Sequence, residues 1–225
     1  IAIKEGEWRS EIAKQMISSG FNPKDVANAF AKVKVPKGFS NSEGIYFPAQ
    51  YSFDKKTTAL SAVQSMVNRF VNEASNLGLL AGENKFTPQQ LLTIASLVQA
   101  EGDPSDFAKI SQVIRNRLKI GMPLQLDTSV QYVLKQRGQI YLNTKATLLN
   151  SPYNTYRRNG LPIGPIGSPG IDAMKATLNP LKGDWLFFIT VAPGDTRFTK
   201  SHDQFLKWKD EYLKNYKAGL FKGKR

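Results

Sequence analysis

The sequence predicts an α+β fold: a small α/β module, then a larger, mixed, helix-rich domain with a few strands. Three observations predict it. A β-compatible start, two short helical stretches and an aromatic return segment crowd into residues 1–53. Longer stretches from Thr57, Thr87 and Asp103 repeat apolar residues at helical spacing. Near the end, an apolar run, a Pro193-Gly194-Asp195 turn and a second short run read as a hairpin.

Each element has its own signals. Ile1 to Lys4 is short and β-compatible, and Arg9 to Ser19 sets Ile12, Met16 and Ile17 on a helical face before the Gly20 stop. Asn22-Pro23 opens a second helix carrying Val26, Phe30 and Val33. Gly44 to Phe53, aromatic and broken by Pro48, reads as the return strand and its bend. Thr57 to Leu80 reads as one long helix with Leu60, Val63, Val67, Phe70 and Val71 on its stripe. A break at Gly82 to Lys85 puts a soft boundary near Asn84, dividing the chain into residues 1–84 and 85–225.

The next helix has the clearest start: Thr87 as N-cap, Pro88 at the first position and Gln90 closing a capping box. Its apolar stripe runs Leu91, Ile94, Ala95, Val98, and the following position on that stripe is Glu101, just before Gly102. Asp103-Pro104 caps a helix bearing Phe107, Ile110, Ile114 and Leu118 up to Gly121. From Asn150 to Gly170, turn signals dominate a long, stiff loop, the kind that is usually functional. Trp185 to Val191 is a strand that pairs with Arg197 to Lys200, and His202 to Lys217 is a terminal helix.

Composition narrows the function classes. A net charge of +13 attracts nucleic acid, anionic headgroups or anionic wall polymers. The basic residues are spread along the chain, with one dense cluster at Lys214, Lys217, Lys222, Lys224 and Arg225, and no nucleic-acid-binding signature is present. Cysteine is absent, which excludes disulfides, thiolate metal sites and cysteine nucleophiles. The lone histidine, His202, builds neither a triad nor a histidine-rich metal site and reads as a surface or helix-cap residue. No cofactor and no metal is expected. The longest apolar run, Trp185 to Ala192, is far short of the ~20 residues that span a bilayer. The chain opens on Ile1 instead of methionine, so a processed or trimmed chain is expected, with any anchor upstream.

Glu101 is the residue that invites chemistry. A carboxylate on an apolar stripe is costly unless paired or protonated, and the negative end of the helix dipole disfavours its charge again. A carboxyl kept protonated near neutrality suits a general acid. Spacing alone leaves a second reading open, in which Glu101 frays to the surface and pairs with a lysine.

Several motifs then occur in order. Ala95-Ser96-Leu97-Val98-Gln99-Ala100-Glu101 is similar to the A-S-[IL]-V-x-x-E signature of the YceG-like family of endolytic murein transglycosylases (MltG). Leu124-Gln125-Leu126-Asp127-Thr128-Ser129-Val130-Gln131-Tyr132 resembles its L-Q-x-D-x-[TS]-V-x-Y. Ser151-Pro152-Tyr153-Asn154-Thr155-Tyr156, then Gly160 to Ile166 and Ser168-Pro169-Gly170, resemble S-x-Y-N-T-Y, G-L-P-P-G-P-I and N-P-G. Upstream, Glu43-Gly44-Ile45-Tyr46-Phe47-Pro48 resembles E-G-x-L-F-P-x-T-Y. Departures exist as well: Gln99 stands where some members carry another Glu, Thr196 and Phe205 where many carry histidine, and Pro162-Ile163 replaces a double proline.

The resemblance implies that Glu101 is the acid/base of a lytic transglycosylase. Such an enzyme needs one carboxylate where hydrolases need two, because the sugar's own C6 hydroxyl replaces water. Asp127 would orient Glu101 or bind sugar hydroxyls, or else simply turn or cap a helix over Ser129 to Lys135. Tyr153, Asn154, Tyr156 and Gln125 suit a sugar groove by ring stacking and amide hydrogen bonds, although Tyr153 and Tyr156 read equally as loop-packing anchors.

Residues 1–84 would be a LysM-like module plus the long connecting helix, and residues 85–225 the catalytic domain. The implied partners are peptidoglycan glycan strands and cell-wall synthesis proteins, with no nucleic acid. The implied location is the extracytoplasmic face of the bacterial membrane, held by a single-pass anchor upstream of residue 1. Two other classes compete: a non-catalytic peptidoglycan-binding protein, and a basic nucleic-acid-binding protein that would need no Glu101.

Overall fold

The computed structural model describes residues 1–83, 85–138 and 144–221. The boundary expected at Asn84 lies outside the described residues, as do Lys222, Lys224 and Arg225 of the basic tail.

Helix α1 (Arg9–Ser18) buries Ile12 and Met16. Ile17 is 39% exposed, because five residues beyond Ile12 is well off the buried face. Helix α2 (Pro23–Lys32) starts at Asn22, whose side chain accepts from the Lys24 N–H. The two strands expected around these helices shrink to one antiparallel bridge, Ala2 with Gln50, flanked by Ile3 N–H to Ala49 O at 2.9 Å. The reason is local. Ile45, Tyr46 and Phe47 are all buried in succession, which an alternating strand cannot do against one layer, and Pro48 donates no ladder bond.

Helix α3 (Ala59–Asn76) is capped by Thr58 and buries Val63, Met66, Val67 and Phe70. It ends at Asn76, before the expected Leu80, with Leu77 as its C-cap, because Gly78 turns left-handed at φ +81°. Leu60 lies off the stripe and is 42% exposed.

Helix α4 (Pro88–Glu101) has the capping box that the sequence predicts, with Thr87 and Gln90 bonded reciprocally. Its burial is broader than one stripe: every residue from Leu91 to Val98 is buried. The helix runs between two cores and is therefore apolar almost all round. On one side Leu91, Leu92 and Ala95 join α1, α2 and α3; on the other Ile94, Leu97 and Val98 join Phe107, Ile110, Leu124, Leu126 and Ile166. Helix α5 (Phe107–Lys119) begins four residues after Asp103, which instead closes a turn with Asp106 at 2.9 Å. Helices α6 (Asp127–Leu134), α7 (Thr144–Thr147) and α8 (Ile171–Leu178) follow.

Strands β1 (Phe187–Ala192) and β2 (Asp195–Thr199) form an antiparallel pair with Phe187 opposite Thr199 and an irregularity between Thr190 and Ala192. Helix α9 (His202–Lys217) packs on β1. His202 is exposed at its start, its ring 5.4 Å from that of Phe187. Helices with one small antiparallel pair make an α+β fold.

The Gly/Pro loop is tied to the segment that precedes α1. The Gly6 N–H donates to Ser168 O at 2.7 Å, and the Ser168 N–H donates to Glu7 O at 2.9 Å. A Cβ on Gly44, held at φ +83°, would sit 2.7 Å from Pro165 Cβ, so glycine is required there by backbone and space together. The Ile166 N–H donates to Ser96 Oγ at 3.0 Å and the Gly170 N–H to Gln99 Oε1 at 2.9 Å, anchoring the loop on α4.

Candidate active site

Glu101 is the last residue of α4 and half-buried. The chain leaves the helix at Gly102, which is extended and lies against α5: a Cβ there would meet Ile110 Cδ1 at 2.2 Å. Thr128, in the first turn of α6, donates its hydroxyl to Glu101 Oε1. Asp127, at the first position of α6, accepts the hydroxyl of Tyr156. It is the opening helical residue and not the cap, a position taken by Leu126.

The electrostatics favour a neutral acid. Burial pushes the Glu101 pKa up; the Thr128 hydroxyl pulls it down, the Asp127 charge raises it again, and the Thr128 backbone and Arg117 lower it, leaving it at about 7. Arg117, on α5, is itself buried and donates to backbone from two of its nitrogens: Nε to Leu186 O at 2.6 Å, Nη1 to Leu124 O at 2.6 Å and Pro123 O at 3.3 Å. Burial lowers its pKa. Tyr156 has its phenol pKa raised by burial first and then by the bond to Asp127.

Glu101, Asp127 and Thr128 line a cleft of about 500 Å³ together with Trp8, Arg137 and Ile166. The N-terminal segment thus supplies one wall. Arg137 lies 4.1 Å over the Trp8 ring and holds Glu11 by two bonds of 2.6 Å and Gly6 O at 2.7 Å. A larger hollow of about 1050 Å³, lined by Phe21, Tyr51 and Phe53, has only exposed carboxylates, Asp25 and Asp54. Desolvation, the main source of a raised carboxyl pKa, acts in the smaller cleft. Among the described residues no group of three His, Cys, Asp or Glu could hold a metal ion.

The other expected site residues separate. Gln125 is exposed at φ +49°, its N–H bonded to Thr155 O at 3.1 Å. Asn154 is buried: its amide donates to Thr147 O at 3.0 Å and Leu149 O at 2.8 Å, and its Oδ1 accepts from Tyr156 N at 3.0 Å. Tyr153 packs 4.9 Å from Tyr132, whose hydroxyl donates to buried Glu43 at 2.8 Å. Tyr156 alone of this loop group reaches the Glu101 neighbourhood, through Asp127.

The sequence profile of the YceG-like family matches residues 1–211. The chain belongs to the YceG-like family. It is 36% identical over 173 residues to the endolytic murein transglycosylase of Bacillus subtilis, covering 76% of this chain and 48% of that protein. It is 37% identical over 152 residues to the endolytic murein transglycosylase of Streptococcus pneumoniae, covering 65% of this chain and 28% of that protein. The chain thus spans about half or less of the curated relatives it matches. A YceG-like protein of Listeria monocytogenes has a similar crystal structure, with a TM-score of 0.75, 29% identity, and coverage of 92% of this chain and 74% of that one.

In this YceG-like chain, sequence reasoning missed Thr128, Arg117 and the cleft wall of Trp8 and Arg137. Thr128 had a usable signal, its place beside Asp127 in a recognised motif. Trp8 and Arg137 had none, since only the folded chain brings residues so distant in sequence to one cleft.

Proposed function

We propose that the chain is the catalytic part of a peptidoglycan lytic transglycosylase, with Glu101 as its acid/base. The observation that carries this is a carboxyl with a pKa of about 7 in an accessible cleft. At neutral pH a large fraction of such a group still holds its proton, yet its carboxylate is basic enough to take one back. Glu101 protonates the glycosidic oxygen as the bond from C1 of N-acetylmuramic acid to N-acetylglucosamine breaks. The C6 hydroxyl of the same muramic sugar then bonds to C1 and returns its proton to Glu101, leaving a 1,6-anhydro end. Asp127, held by Tyr156, keeps negative charge beside the acid and raises its proton affinity.

The relatives' name supports murein as the substrate class. Residues 1–84 serve as a LysM-like module with the long helix, and residues 85–225 as the catalytic domain. The protein works on the extracytoplasmic side of the membrane from an anchor upstream, in company with cell-wall synthesis proteins. Gln125 and the exposed part of Tyr153 contact the glycan beyond the cleft, whereas Asn154 acts by holding the loop. Purified peptidoglycan incubated with the protein should release anhydromuramyl products detectable by mass spectrometry. Glu101→Gln should reduce them by about 10²–10⁴-fold, the usual worth of a general acid. No anhydro product from the unaltered protein would overturn the reading.

A further inference from the structure

Among the described residues, Thr128 supplies the hydrogen bonds that Glu101 receives, one from its hydroxyl and one from its backbone. From α5, Arg117 commits its Nε and Nη1 to backbone carbonyls. From the loop, Tyr156 gives its hydroxyl to Asp127. Arg137, beyond α6, holds Glu11 and Gly6 O, and Asp127 is an acceptor that acts on Glu101 by repulsion. On α6, the Thr128 hydroxyl carries a single hydrogen and points it at Oε1.

We infer that Thr128 is a positioning residue that fixes Oε1 as an acceptor and leaves Oε2 as the oxygen exchanging the proton with substrate. A neutral carboxyl carries its hydrogen on one oxygen only. With Oε1 accepting from the Thr128 hydroxyl, that hydrogen sits on Oε2. The same donor stabilises the carboxylate formed after the proton leaves, so Thr128 also limits how far burial and Asp127 raise the proton affinity. The inference rests on Glu101 being the acid of the proposed reaction.

The test reads Glu101 directly and then through activity. The carboxyl carbon of Glu101 is followed by ¹³C NMR across pH, assigned with Glu101→Gln, in the unaltered protein, Thr128→Val, Thr128→Ala and Thr128→Ser. Removing the donor should move the titration upward by about one pH unit in the Val and Ala variants, and Ser should restore it. In the peptidoglycan assay the basic limb should move the same way, with kcat down roughly tenfold and KM little changed. An unchanged or lowered titration in both Val and Ala variants would overturn the inference, since a hydroxyl accepting the acid's proton would move it down. The expected NMR shift without anhydro product from any variant would uphold the assignment of Thr128 and remove the reading of the reaction.

Discussion

Glu101→Gln should make the protein more stable, and only above mildly acidic pH. The carboxyl titrates near its ordinary value of 4.5 in the unfolded chain and at about 7 in the folded one. Between those values the native state keeps a proton that the unfolded state has released, so stability falls as pH rises through this window. A difference of about 2.5 units at about 1.4 kcal/mol each amounts to a cost of about 3.5 kcal/mol, complete above pH 7 and absent below pH 4.5. Glutamine never bears the charge and escapes that cost. For a chain of this size the variant should melt roughly 7–14 °C higher at pH 8 and at nearly the same temperature at pH 4. Scanning calorimetry at pH 4, 6 and 8 reads the difference. A gain independent of pH, or a variant less stable at pH 8, would refute burial as the source of the acid's proton affinity.

Two further outcomes follow from the same geometry. Asp127→Asn removes the repulsion beside Glu101, so the basic limb of the pH–activity profile should move to lower pH, and a limb that stays put or rises would count against the role given to Asp127. Asn154→Ala strips two carbonyls and one backbone N–H of their partner inside the loop, and urea unfolding should show a loss of about 2–3 kcal/mol.

Much of the architecture was legible because its signals are local. The Thr87–Gln90 capping box, the Asn22-Pro23 start and the limits of α9 depend on residues within one turn of each other. The return strand was misread because an aromatic-rich run is also what a fully packed, non-alternating segment looks like. The helical position of Glu101 could be read from spacing. Its environment could not, since Thr128, Arg117 and Ile166 arrive from three separate parts of the chain. Asn154 illustrates the limit of residue-type reasoning: an amide suited to a sugar is equally suited to closing its own loop, and only the carbonyls it meets decide between them.

The pairing of Gly6 and Glu7 with Ser168 carries a consequence for folding. Trp8 and Ile166 form walls of one cleft, so the acid acquires its surroundings only when the beginning of the chain and the segment near residue 170 have met. Contacts of such sequence separation close late in folding. Until residues 6–8 and 166–168 have met, the cleft of Glu101 lacks the walls that Trp8 and Ile166 supply. The surroundings that raise the proton affinity of Glu101 are thus completed by residues that lie far from it in sequence on both sides.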